Sequence, residues 1–109
     1  MNRLGCRPLL ALLSAGLLST VFAGPLQDAE TAYANADYAT AFRIWRELAE
    51  AGDASAQSNL GRMYRDGRGV TADQAEAVKW LRKAADQGDT VARDMVENIE
   101  HSQGGAGAR

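Results

Sequence analysis

One cysteine, one histidine and two prolines are all that the 109 residues hold of those types, and each scarcity removes a class of chemistry. Cys6 has no second cysteine to pair with, and it precedes an apolar run instead of ending it, where a lipid-modified cysteine would have to sit. His101 lies near the end of the chain, and Ser55, Ser58 and Ser102 have no lysine three residues on, so no activated serine nucleophile can be assembled. Both prolines, Pro8 and Pro25, fall before residue 26, so no proline breaks a helix after it. No stretch alternates apolar and polar residues as a half-buried strand does. The one leucine-rich run, residues 9–18, is shorter than the roughly 20 residues a spanning helix needs.

That run has a different use. Arg3 and Arg7 precede it, and Val21-Phe22-Ala23 follows with small residues at the two positions read for cleavage. Residues 1–23 are therefore expected to be a secretory signal peptide, removed after Ala23. Removal takes Cys6 with it, so oxidising conditions neither help nor harm what remains. It also takes two of the 12 basic residues and none of the 14 acidic ones, leaving 10 against 14, a net charge of −4. A mildly acidic domain lacks the clustered basic surface that nucleic acid needs.

The rest of the chain is organised around residues 53–85. Ala56, Leu60, Met63 and Tyr64 share one helical face, Gly67-Arg68-Gly69-Val70 interrupts it, and Ala77, Val78, Leu81, Ala84 and Ala85 restart the pattern. Asp53 and Asp73 are placed to cap the two helices, and Gly52 and Gly88 to end the helices before them. Gly61 and the alanines let the facing backbones approach, with Tyr64, Trp80 and Leu81 filling the gaps.

The matching residues Ala54, Ala56, Gln57, Leu60, Gly61, Met63, Tyr64, Gly67, Gly69, Val70, Asp73, Ala77, Val78, Trp80, Lys83, Ala84 and Ala85 resemble the Sel1-like repeat, a relative of the tetratricopeptide repeat. Leu81 departs from the aromatic residue usual in the family. Some secreted Sel1-like proteins staple each repeat with a disulfide, which this chain cannot do. Others have been described as β-lactamase-like, but Ser-x-x-Lys is missing.

Residues 26–35 read as an alanine-rich helix, and 32–42 resemble a tetratricopeptide hairpin turn with Ala36 in place of the usual glycine. Tyr38, Ala41, Phe42, Trp45, Leu48 and Ala49 then make an apolar helix face, opposite Arg43, Arg46, Glu47 and Glu50. Arg46 and Glu50 are spaced to pair. An internal repeat runs at an offset of 36: Ala36 with Ala72, Asp37 with Asp73, Ala41 with Ala77, Gly52 with Gly88, Asp53 with Asp89 and Ala56 with Ala92. It favours packing roles for Trp45 and Trp80 over ligand contact.

The last helix, residues 90–102, keeps Ala92, Met95, Val96 and Ile99 as a stripe. It carries Glu97 where Gly61 stands and Glu100 where Tyr64 stands. Carboxylates there would not admit a further helix, so this element is expected to cap a solenoid. Residues 103–109, rich in glycine and alanine, are expected to be a disordered tail. The architecture expected is all-α: a short α/α solenoid of antiparallel hairpins over residues 24–102, about five helices, with one full unit and a half unit on each side. Gly61 should be its least replaceable residue, held in close contact near Ala77 and Trp80.

Two further patterns have simpler explanations. Gly67-x-Gly69-x-x-Ala72 outlines a dinucleotide loop, but a helix precedes it where that fingerprint needs a strand. Glu97, Glu100 and His101 could share a helix face in the manner of metal ligands, but a polar last turn with an imidazole near a helix C-terminus is the preferred reading. No metal, cofactor or catalytic residue is assigned, and no enzyme activity is expected.

The resemblance implies a binding module, an exported periplasmic or secreted protein that docks a protein or peptide partner in the bacterial envelope. Carried over position by position, the concave face of related repeats gives Glu30 and Tyr33, then Ser58, Arg62 and Arg65, then Asp94 and Asn98 as partner-facing residues. Arg62 and Arg65 are expected either to clamp a partner's carboxylate together or to form a solvated face paired with Asp66 or nearby glutamates. The alternative is a structural subunit that self-associates as a homodimer or joins an envelope complex. Val91, apolar and without an evident partner, points that way.

Overall fold

Three short turns set the frame. The computed structural model describes residues 24–107; the leader expected at residues 1–23, with Cys6 and the cleavage site, lies outside the described residues. The helices are α1 (Pro25–Ala34), α2 (Tyr38–Glu50), α3 (Ala54–Asp66), α4 (Gln74–Asp86) and α5 (Thr90–Gly107). At the end of α1, α2 and α4 the chain turns in the same way. The N–H groups of Ala36, Gly52 and Gly88 donate to the carbonyls of Tyr33, Ala49 and Ala85 (2.9–3.0 Å), and those of Asp37, Asp53 and Asp89 reach one residue further back. Each aspartate then caps the next helix, its carboxylate accepting from the N–H of Thr40 (3.3 Å), Ala56 (2.9 Å) or Ala92 (3.0 Å).

These turns need a positive φ. Gly52 and Gly88 supply 104°, but at the first turn Ala36 is held at 62°. An alanine there costs about 1 kcal/mol or more relative to glycine. Ala36 is exposed, so Ala36→Gly should raise the midpoint of thermal unfolding by a few degrees. An unchanged or lower midpoint would mean that the strain is relieved in some other way.

The other connection, residues 67–73, joins α3 to α4 and is longer. Gly67 (φ 71°) ends α3 with its N–H on the Met63 carbonyl (2.8 Å), and the Asp73 N–H returns to the Tyr64 carbonyl (2.9 Å). Gly69 (φ 72°) sits against the start of α2, where an added Cβ would lie 2.5 Å from the Tyr38 carbonyl oxygen. The loop is thus packed against an earlier repeat.

Each helix packs chiefly on its neighbours along the chain, the one-dimensional stacking of a solenoid. Ala29, Ala41, Trp45, Ala49, Ala56, Leu60, Met63 and Trp80 form one core cluster. Ala77, Leu81, Ala84, Ala92, Val96 and Ile99 form the other, with Tyr64 against both. Gly61 fits a tight contact as expected, with Ala77 as one partner, but Leu81 stands where Trp80 was expected. Its missing Cβ would meet Leu81 Cγ at 2.6 Å and the Ala77 carbonyl at 3.1 Å, while Trp80 belongs to the first cluster. Leu81 and Gly61 lie directly across the α3–α4 contact, whereas Trp80 is one residue around α4.

Between turns, buried Gln57 donates to the Ala49 carbonyl (3.1 Å) and accepts from Gln87 (2.9 Å), which also donates to the Gly52 carbonyl (2.9 Å). This tie runs from the second turn to the fourth helix end. At the far end, Glu97 is exposed and Glu100 pairs with Arg82, as suits a capping helix. That helix continues through Gly107, so residues 103–107 extend α5 where composition led us to expect a disordered tail.

Candidate functional site

The first helices of the hairpins, α1 and α3, with α5 behind them, carry the residues expected to face a partner. The structure divides them between two hollows. Glu30, Tyr33 and Arg62 line the first, of about 240 Å³, together with Trp45 and Asn59. Arg65 and Asn98 line the second, of about 290 Å³, with Gln74, Met95 and Ile99. Asp94 is exposed and outside both.

Ser58 leaves the set. It is 8% exposed, and a side chain that short does not reach the surface from there, whereas Arg62, one turn on, does.

The joint arginine clamp is also not assembled. Arg65 turns onto its neighbour, with Nε and Nη2 donating to the two carboxylate oxygens of Asp66 at 2.8 and 3.2 Å. Arg62 donates to Asn59 Oδ1 at 3.2 Å and has no ion pair among the described residues. One arginine is therefore spent locally, and the other stands at the rim of the first hollow.

The hydrogen bond from Arg65, partly offset by desolvation and helped by the nearby guanidinium charges, holds the Asp66 carboxyl below its ordinary value of 3.8. The stabilisation is therefore complete above that value and is lost as the pH falls through the lowered folded-state pKa. The two side chains are 35% and 33% exposed, so screening keeps the effect to about 0.2–1 kcal/mol. Asp66→Asn should lower stability at neutral pH by about that amount and flatten the acid limb of stability against pH. Denaturant melts at neutral pH and below pH 3.8 check this.

Tyr33 is fixed by a residue that the sequence reading passed over. Arg68 Nη1 donates to the Tyr33 hydroxyl at 2.6 Å, and its guanidinium lies 5.7 Å from the Tyr33 ring centre and 5.4 Å from that of Tyr38. That hydrogen bond and the nearby tyrosines hold Arg68 above its ordinary pKa. The Tyr33 ring then meets Tyr38 edge-on at 5.0 Å and Trp45 at 5.5 Å. The aromatic row begins at the α3–α4 loop and ends in the wall of the first hollow. Trp45 is buried as expected (3% exposed), yet its indole N–H has no acceptor among the described residues.

Among the described residues no group of His, Cys, Asp and Glu could hold a metal ion, and no helix is long and apolar enough to cross a membrane. Glu100, one of the three residues weighed as metal ligands, is engaged by Arg82. The described residues contain no strand, and the backbone at Gly69 lies against Tyr38, so the glycine loop is occupied by a packing contact.

Residues 25–53 and 54–89 each match the family model described as Sel1 repeat. No curated protein matches the chain. Each match spans a whole hairpin, α1 with α2 and α3 with α4. Residues 25–53 are thus a complete repeat where a half unit was expected. The first hairpin closes through the short turn 35–37, so it lacks the Gly-x-Gly loop that marks the second.

Proposed function

The chain belongs to the Sel1 repeat family, whose repeats mediate protein–protein interaction, and on that premise we propose that it is an exported, non-enzymatic adaptor that docks a protein partner in the bacterial envelope through the α1–α3 face. The observation that carries the choice of face is the first hollow: Glu30 and Arg62 both stand at it with no ion-pair partner among the described residues. Export is supported by the basic, apolar and small-residue pattern of residues 1–23. Mass measurement of the protein recovered from the envelope should find a chain starting at Gly24, and a full-length chain would contradict export by cleavage.

Capture from envelope extract tests the face. Arg62→Glu should lose the partner, because it reverses the one uncommitted cation of the hollow. Arg65→Glu should keep it, because Arg65 is already bound to Asp66. Equal recovery by the two variants would sink this surface. The assembly reading rests on Val91, 62% exposed. A single exposed apolar residue is ordinary on a monomer, so the adaptor reading is preferred.

A further inference from the structure

From the lining of the first hollow, and resting on the adaptor reading above, we propose that it receives one acidic side chain of the protein partner, with the carboxylate held by Arg62 and Trp45. The size argues for a side chain. At about 240 Å³ the hollow falls below the roughly 300–1,000 Å³ of sites built for free small molecules, and it is open to a segment lying across α1 and α3.

The chemistry of the wall argues for an acid. Trp45 presents an indole that can only donate, it is 97% buried by its 3% exposure, and its N–H lacks an acceptor among the described residues. A buried donor in that state is costly, and an acceptor brought by a ligand removes the cost, which requires the wall to open to the nitrogen, itself buried. Asn59 is half-buried and its oxygen already accepts from Arg62, which leaves its amide N–H groups as donors. Arg62 uses one of its N–H groups on Asn59 and keeps the others. Donors thus outnumber acceptors, and the fork of Arg62 suits a planar carboxylate.

The surrounding charge agrees. The end of α3 and its loop carry Arg62, Arg65 and Arg68 against two acids, Asp66 and Asp73, in a chain that bears a net negative charge. Glu30, exposed at the rim, is the one carboxylate of the lining. It would take a backbone N–H of the same segment and would repel a more highly charged group such as a phosphate.

The two tryptophans of the chain give two indole N–H signals in a nitrogen–proton correlation spectrum, and Trp45→Phe identifies one of them. The probes are blocked pentapeptides, Gly-Gly-Glu-Gly-Gly and its Gln and Lys counterparts, added at millimolar concentration to the chain expressed with its leader. The Glu peptide should move the Trp45 signal downfield, saturably, and leave the Trp80 signal in place. The Gln and Lys peptides should not move it. Arg62→Gln, an exposed change that leaves the core intact, should weaken the Glu peptide about tenfold or more, and Arg65→Gln should not. A Trp45 signal that the Glu peptide leaves unmoved, that the Gln peptide moves equally, or that responds unchanged in Arg62→Gln overturns the assignment. If Arg62→Glu loses the partner in the capture experiment while the Glu peptide leaves Trp45 unmoved, the adaptor reading stands and the acidic-side-chain site falls.

Discussion

Gly69→Ala should lower the melting temperature by tens of degrees, and Gly67→Ala, two residues away, by much less. The two positions have nearly the same backbone, φ 72° and 71°, so the conformational penalty of an alanine is shared, about 1–2 kcal/mol. They differ in what the methyl group meets. At Gly67 the nearest atom is the Ala72 methyl, 3.2 Å away. At Gly69 it is the carbonyl oxygen of Tyr38 at 2.5 Å, with the carbonyl carbon at 2.8 Å. Both are backbone atoms at the first residue of α2, and they cannot move aside as the end of a side chain can. Overpacking adds about 1–3 kcal/mol, against a total of roughly 4–12 kcal/mol for a domain of this size. Since 1 kcal/mol shifts such a domain by about 4–8 °C, the pair should separate clearly in thermal melts. Similar melting of the two variants would show that the loop is not clamped against α2.

Gly61→Leu should be nearly as damaging, and Glu97→Leu should not. The two residues occupy equivalent places one repeat apart. Gly61 is buried in mid-helix, where glycine costs about 1 kcal/mol relative to alanine. The compensation is the approach of α4: even a Cβ would stand 2.6 Å from Leu81 Cγ and 2.9 Å from its Cδ2. Leu81 is fully buried and has little room to yield. A leucine side chain there should cost about 1–3 kcal/mol or more. Glu97 is exposed on α5, and exposed substitutions usually fall within about 0.5 kcal/mol. Equal melting of the two Leu variants would mean that α5 does not close the solenoid.

These two glycines also show where sequence reasoning stops. Local features were legible: the aspartate caps, the glycine turns, the Arg46–Glu50 pair at 3.2 Å and the change of face on α5 all follow from residues within a turn of one another. That Gly61 faces a neighbouring helix was legible from its cost. That it faces Leu81 and not Trp80 depends on helix rotation, which a difference of one residue decides. The constraint on Gly69 was hidden, because the atom that forbids a side chain belongs to Tyr38, in the preceding repeat. Gly61 was therefore ranked above Gly69, and the backbone contact reverses the order.

The site was legible in part for the same reason. Glu30, Tyr33 and Arg62 were named from the positions of related repeats, and the fold brings the three to one hollow. Ser58 failed because burial depends on side-chain length as well as on face. Asn59 and Trp45 were missed because they come from neighbouring positions and from the second helix of the hairpin, and only the assembled fold brings them to one hollow. Trp45 was read as core, which its burial supports; its unpaired N–H is a property of its surroundings that sequence does not carry. Arg65 was readable either way, and the adjacent Asp66 claims it.

The central claim is that the hollow between α1 and α3 is the working surface. Site-specific photo-crosslinking in the native envelope tests it most directly, with the crosslinking group placed at Asn59, in the hollow, or at Glu47, exposed on α2 and outside it. A partner adduct from position 59 and none from position 47 is the predicted result. An adduct from position 47 with none from position 59 would contradict the account.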